Sequence, residues 1–398
     1  MSILFTPQNV GNVEIKNRFV HSATYEGMAD PSGKITDQLI KRYQTIAKGA
    51  VGMIIPGYMY VHPLGRAHNY SIGIHKDEMI SGLRNLVDTV HKEGSKIFFQ
   101  LNHAGRQTCK DHIGQTPMAP SNSGRDPVYF FKPKVMTEEE IEESIKAFGA
   151  AARRGVEAGV DGIQIHAAHG FLVNQFLSPF FNRRRDTWGG STRNRFRFLK
   201  QVMAEIKKNI PENMPVIVKL NTCDYTPKEG ITHSIAVQYA VWLKELGIRM
   251  LEVSCGTAVY SYMNMCRGEV PVKELVQSLP MWKKPLGRIM IGSLKGKYDL
   301  NEGYNIEATK LIKPVLGKVP LCLVGGMRTK KRMEEIILDG YADFISMSRP
   351  FIREPFIVKK FKENKKDIVS CVSCNKCLAA VPNGIPVMCY NKNFPSKK

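Results

Sequence analysis

A chain of 398 residues with 43% hydrophobic side chains can bury a large core, which excludes global disorder. Its formal charge of +21 would suit an anionic partner, substrate or surface, yet the cations fall in short scattered groups such as Arg183-Arg184-Arg185, Lys283-Lys284 and Lys359-Lys360 and no nucleic-acid-binding signature accompanies them, so neither nucleic acid nor a membrane is the expected partner. No run approaches the roughly 20 apolar residues of a membrane span, and Met1–Pro7 has neither the basic nor the apolar part of a signal peptide; the chain reads as soluble and cytoplasmic.

Apolar strand-like runs and amphipathic stretches then alternate almost to the end. The first strand candidate, Asn17–Ala23, is followed by Thr24 and Tyr25 rather than a glycine-rich turn, which argues against a doubly wound dinucleotide-binding sheet. A helix over Gln38–Lys48 and strands over Val51–Gly57 and Lys96–Asn102 come next, the last carrying Gln100. After the long connection His103–Met136, Thr137 and Glu140 form a capping-box pattern that opens a helix over Glu138–Ala158. Strand Gly162–Ala167 ends in His166, with His169 on the loop just beyond. Helix Arg193–Asn209, strand Pro215–Asn221 with Lys219, helix Ile235–Leu246 and strand Met250–Gly256 follow. A second long connection, Thr257–Asn305, carries Trp282 and seven cations, among them Arg267, Lys283 and Lys297. Strand Pro320–Gly326, helix Thr329–Leu338 and strand Ala342–Ser348 complete the series. Eight strands, each followed by a helix, predict an α/β fold, a (β/α)8 TIM barrel over residues 1–366 with a cysteine-rich tail over 367–398. Both long connections leave strand C-termini, where barrels keep their chemistry, so both are expected to act as lids.

Chemistry-bearing residues cluster at those same ends. Two imidazoles in one pocket, His166 and His169, can donate paired hydrogen bonds to a carbonyl or phenolate oxygen; zinc lacks a third ligand at metal spacing. Gly325 and Gly326 after the seventh strand, with Ser348 and Arg349 after the eighth, suit a phosphate. A strand-borne lysine is costly unless paired or functional, so Lys219 is either a Schiff-base nucleophile or a fixed cation beside a flavin. Gln100 offers the donor and acceptor a flavin pyrimidine needs. Together these residues fit FMN better than an aldolase. Of nine cysteines, Cys371, Cys374, Cys377 and Cys389 cluster, which in an intracellular chain argues for metal or redox chemistry.

The segments Gln100-Leu101-Asn102-His103-Ala104-Gly105-Arg106, His166-Ala167-Ala168-His169-Gly170, Asn174–Pro179 and Asp186–Ser191 resemble those of the Old Yellow Enzyme family, in its branch of 2,4-dienoyl-CoA reductase-like NADH:flavin oxidoreductases. The resemblance implies that Gln100 and Lys219 hold the flavin pyrimidine, with lysine where many relatives have arginine. Ala23, Thr24 and Gly57 or Tyr58 would lie along the isoalloxazine, and Gly325, Gly326, Ser348 and Arg349 at the phosphate. His166 and His169 would bind the oxygen that activates a C=C bond. Two departures stand out. Phe171 occupies the place of the tyrosine that gives a proton in relatives, and Tyr25 the place of a threonine or cysteine; Tyr25, Tyr58 or water would supply the missing proton. The tail resembles an iron–sulfur motif shortened by one residue between its second and third cysteines, so a [4Fe-4S] cluster, zinc or free thiols all remain open at Cys371, Cys374, Cys377 and Cys389. The FAD and NADPH domains that follow in that branch are not in this chain, which leaves NAD(P)H or a partner protein as electron donor. The expected function is FMN-dependent reduction of an activated C=C bond in a small molecule. Alternatives are a flavin-free Schiff-base lyase using Lys219, an FMN electron-transfer protein without ene-reductase activity, and a basic binding or scaffold protein with a vestigial site.

Overall fold

The computed structural model describes residues 2–395. Eight parallel strands form the barrel: β1 (Phe19–His21), β2 (Met53–Ile54), β3 (Lys96–Asn102), β4 (Gly162–Ala167), β5 (Val216–Asn221), β6 (Met250–Ser254), β7 (Leu321–Val324) and β8 (Phe344–Met347). Pairing of β8 with β1, of β1 with β2 and of β2 with β3 closes the ring. Around it run α1 (Asp37–Lys48), α2 (Ile80–Lys92), α3 (Glu138–Ala158), α4 (Thr192–Lys208), α5 (His233–Glu245), α6 (Ile306–Leu316), α7 (Lys330–Leu338) and α8 (Ile357–Lys362). The expected (β/α)8 barrel is therefore present. Several strands are shorter than their apolar runs, because residues such as Gly57, Gly256 and Gly326 already turn into loops.

Side-chain alternation explains the interior. Val20, Met53, Phe98, Ile217, Met250, Cys322 and Phe344 point inward near the N-terminal end and pack into an apolar floor. That floor is sealed by Val10 and Ile15 of an antiparallel hairpin, Gln8–Val10 with Val13–Ile15, which the alternating pattern of the barrel did not foretell. The outward-facing strand residues join one large cluster with the helices. In α3 the predicted box is formed: Thr137 Oγ1 accepts from the Glu140 N–H, and Glu140 accepts from the Thr137 N–H. Its apolar stripe Ile141, Ile145, Phe148 and Ala152 is buried against the barrel.

The cysteine-rich segment lies across the C-terminal mouth. The Val387 N–H donates to Glu26 O at 2.7 Å, and Arg42 Nη1 donates to Val387 O at 2.7 Å. Asn383 Nδ2 donates to Glu274 O at 2.9 Å, which ties the segment to the second long connection. No described helix is long and apolar enough to cross a membrane.

Candidate active site

The positions two residues beyond the apolar floor also face inward, and there the sequence turns polar: Ser22, Gln100, Gln164, Lys219, Glu252 and Ser346. Glu252 is fully buried. Its Oε1 accepts from Ser22 Oγ at 2.8 Å, Ser346 Oγ at 2.9 Å and Lys219 Nζ at 3.2 Å. Its Oε2 accepts from Gln164 Nε2 at 2.9 Å, and Gln164 Oε1 accepts from Gln100 Nε2 at 2.6 Å. Burial alone would push the Glu252 carboxyl up; the Lys219 ammonium and the hydrogen bonds hold it below the usual range. The far end of the chain of contacts is open, because Gln100 Oε1 is buried with no partner among the described residues. Lys219, held by Glu252 and by Ser22 Oγ at 2.8 Å, is the reverse of the unpaired amine a Schiff-base nucleophile requires.

One layer further up stand the histidines. His166 Nε2 and His169 Nδ1 are 3.1 Å apart, and His169 Nε2 is 2.7 Å from Ser254 Oγ. His169 adopts a left-handed backbone (φ 63°), unusual for a residue with a side chain. Asn221 Oδ1 secures that turn by accepting the His169 N–H at 3.2 Å. Burial pushes both imidazoles well below their usual range, with the Lys219 charge adding to it, so both are neutral. Phe171 packs 4.7 Å from the His166 ring and 5.0 Å from Tyr58. Tyr25 stacks on Tyr58 with centroids 6.0 Å apart and touches His68 at 4.9 Å. Burial raises both phenols above their usual value.

At the opposite end Gly326 lines the cleft with a positive φ of 70°, and Ser348 Oγ is 2.6 Å from Thr24 Oγ1. Two buried arginines meet here. Arg349 Nη1 donates to Arg267 O at 2.9 Å and to Asn375 Oδ1, while Arg328 Nη2 donates to Ser373 Oγ at 2.6 Å. Neither has a carboxylate partner among the described residues; burial and the neighbouring Arg349 lower the Arg328 guanidinium.

Eleven of the thirteen expected catalytic and cofactor residues line this one cleft: Ala23, Thr24, Tyr25, Tyr58, Gln100, His166, His169, Lys219, Gly326, Ser348 and Arg349. Gly57 and Gly325 do not. The Gly57 N–H turns away to Glu26 Oε1 at 2.7 Å, and a Cβ there would meet Thr24 O at 2.7 Å. Gly325 faces Asn305, whose Nδ2 would stand 3.2 Å from its Cβ. The two long connections differ as well. Thr257–Asn305 walls the cleft with Tyr262, Cys266 and Tyr304. His103–Met136 instead folds around the buried Arg106–Asp126 pair (3.9 Å) and comes near the site through Tyr129.

Cys371, Cys374, Cys377 and Cys389 all line a second, small cavity beside Arg349, unpaired by any disulfide. Among the described residues, however, no three His, Cys, Asp or Glu side chains converge closely enough to hold a metal ion. Sequence reading gave no role to Gln164, Glu252, Ser254, Arg328 or His68, all of which lie in or directly beneath the cleft. A signal existed for two of them: in Met250-Leu251-Glu252-Val253-Ser254 polar residues alternate with apolar ones, placing Glu252 and Ser254 on the inward face.

Comparison with known proteins agrees with this geometry. The model of the NADH:flavin oxidoreductase / NADH oxidase family matches residues 3–289. The chain is 33% identical to an NADH oxidase of Thermoanaerobacter brockii over 377 residues, covering 94% of this chain but only 52% of that protein, so it spans about half of that relative's length. It is 34% identical to an NADPH dehydrogenase of Clostridium acetobutylicum over 355 residues, covering 89% of this chain and 93% of the relative. A solved 2-naphthoyl-CoA reductase in complex with 2-naphthoyl-CoA superposes with a TM-score of 0.85 at 25% identity, over 97% of this chain and 56% of that one. The chain thus belongs to the NADH:flavin oxidoreductase / NADH oxidase family.

Proposed function

We propose that the protein binds FMN in this cleft and reduces a C=C bond conjugated to a carbonyl, with NAD(P)H as the electron donor. The carrying observation is that one cleft ends in a buried, unpartnered amide oxygen, Gln100 Oε1, at one side and in two buried arginines without carboxylates at the other. Those ends fit a flavin imide and a phosphate respectively, since a buried polar group left unpaired costs about 1–3 kcal/mol until a ligand satisfies it. Gln100, Lys219 and Thr24 would hold the ring system, and Gly326, Ser348, Arg328 and Arg349 the phosphate. When bound, FMN supplies hydride chemistry.

The chain's own residues do the rest. His166 and His169 grip the substrate oxygen: an oxygen entering between His166 Nε2 and His169 Nδ1 takes a hydrogen bond from each once both ring nitrogens carry a proton. Ser254 Oγ–H can donate to His169 Nε2, which places the His169 proton on Nδ1, toward that oxygen. Phe171 can give no proton, but the Tyr58 phenol packs against it and burial keeps that phenol protonated; Tyr58 is the group that delivers a proton to the α-carbon, with Tyr25 stacked behind it. The four tail cysteines face one cavity without forming a ligating set among the described residues.

The test is an absorption spectrum of freshly purified protein followed by anaerobic turnover of a cyclic enone with NADH and NADPH. A bound flavin band, bleached by one of the nicotinamides and restored by the enone, is expected. Protein that takes up no FMN, or reduced flavin that no enone reoxidises, would overturn the reading.

A further inference from the structure

The second long connection contains a helix that turns its apolar face outward. In helix Lys284–Gly292 the spacing Leu286, Ile289, Met290 continues the line of Trp282, one turn earlier, and these residues are 61–77% exposed. The opposite face is the packed one, where Gly287 is buried against Leu279. Residues 275–298 hold five cations (Lys283, Lys284, Arg288, Lys295, Lys297) and no acid. Lys283 Nζ lies 4.7 Å from the ring of Phe130, itself 59% exposed on the first long connection, so the two loops form one apolar surface edged with positive charge.

We propose that this surface docks the enzyme on an anionic lipid bilayer. An outward apolar stripe with a tryptophan, flanked by lysine and arginine alone, is the composition of helices that lie in the headgroup–acyl boundary. The charge of the segment complements an acidic leaflet, as does the chain's net +21. Side chains this far exposed project from the surface, as anchors do, whereas a protein partner is met by a groove or by roughly 800 Å² of flat interface per partner. Both loops leave strand C-termini on the face that holds the cleft, so docking turns its mouth toward lipid and favours alkenes dissolved in the bilayer.

The probe is sedimentation of the full chain with vesicles of phosphatidylcholine alone, and of phosphatidylcholine with phosphatidylglycerol in a two-to-one ratio. Binding is expected to the mixed vesicles only, to weaken as salt rises, and to shift the emission of Trp282 to shorter wavelength; Trp188 is buried and should not respond. Trp282→Ser combined with Ile289→Ser should lower vesicle affinity by roughly tenfold or more. Lys283→Gln with Lys284→Gln should do so through loss of charge, and Leu338→Ser, an equally exposed position elsewhere, should change nothing. Absence of binding to the mixed vesicles, unaltered binding in the stripe variant, or a dimer in solution that the stripe variant converts to monomer would each overturn the proposal.

Discussion

His166 Nε2 and His169 Nδ1 face each other at 3.1 Å, and since burial keeps both rings neutral, one of the two nitrogens must act as acceptor. The pair is therefore a closed clasp rather than two free donors. Ser254, 2.7 Å from the far nitrogen of His169, is the group able to set which tautomer that ring adopts. A phenol added to the oxidised holoprotein should open the clasp, bind as phenolate and give a long-wavelength charge-transfer band. The His166→Ala, His169→Ala double variant should lose the band while retaining flavin. Ser254→Ala should weaken phenol binding by roughly fivefold, the worth of one hydrogen bond of about 1 kcal/mol. A full-strength band in the double variant would remove both histidines from substrate binding.

Tyr58 is the predicted proton donor because it packs at 5.0 Å on Phe171, the position where a phenol is missing. Tyr58→Phe should slow reoxidation of reduced enzyme by an enone roughly 10²–10⁴-fold, the contribution of a single general acid. Reduction by NADPH should stay near the wild-type rate. Stopped-flow traces of the two half-reactions separate these outcomes. If Tyr25→Phe produces the larger loss, the acid is the outer of the two stacked rings.

The barrel was legible because hydrophobic runs of strand length alternate with amphipathic segments, and parallel pairing follows from that order. Gln100, Lys219, His166 and Arg349 were legible because polar groups at the ends of buried strands need a reason to be there. The Lys219–Glu252 pairing was not, since which two inward residues stand side by side on adjacent strands depends on strand register, which no local pattern fixes. That Gly57 stands outside the cleft lining was hidden for a related reason: Glu26, distant in sequence, captures its N–H. The tail's position was also hidden, because Asn375 reaches Arg349 and the Cys266 carbonyl only after the chain returns across the barrel mouth.

Arg328 and Arg349 are expected to share the anionic end of the cofactor. Arg349→Ala and Arg328→Ala should each weaken FMN binding by about 1.5–3 kcal/mol, which is roughly 10- to 150-fold in Kd. Titration of apoprotein with FMN, followed by quenching of flavin fluorescence, measures this directly. Riboflavin, which lacks the phosphate, should bind both variants as it binds the wild type. Equal losses for riboflavin and FMN would mean that the arginines act on the fold and not on the phosphate.

The Lys219–Glu252 pair should be costly to break from one side. Glu252→Ala leaves the ammonium buried without its counter-charge and strands the Ser22 and Ser346 hydroxyls, so a loss of about 3–5 kcal/mol in unfolding free energy is expected. Replacing both, as Lys219→Met with Glu252→Leu, should restore much of that stability while abolishing activity. Urea unfolding together with enone turnover of the two variants distinguishes an ion pair that matters for function from one needed only to hold the barrel together.

Glu26 gives the last prediction, in pH. Its buried carboxyl accepts from Gly57 N–H at 2.7 Å and from the Tyr43 hydroxyl, and burial raises it from 4.5 to about 7 despite the opposing charge of Arg42. The folded chain therefore keeps a proton that the unfolded chain releases near pH 4.5. Between those two values the native state binds more protons than the unfolded state, so this carboxyl's contribution to stability is full below about 4.5, falls as pH rises, and is lost once pH passes about 7. The total change is on the order of 3 kcal/mol at 1.36 kcal/mol per pKa unit. Glu26→Gln keeps an acceptor for Gly57 and cannot ionise, so its stability should be flatter across that window and exceed the wild type above pH 7. Urea midpoints measured from pH 5 to 8.5 in both proteins test this. Parallel curves would show that Glu26 does not titrate there, and that the Arg42 guanidinium compensates its charge fully.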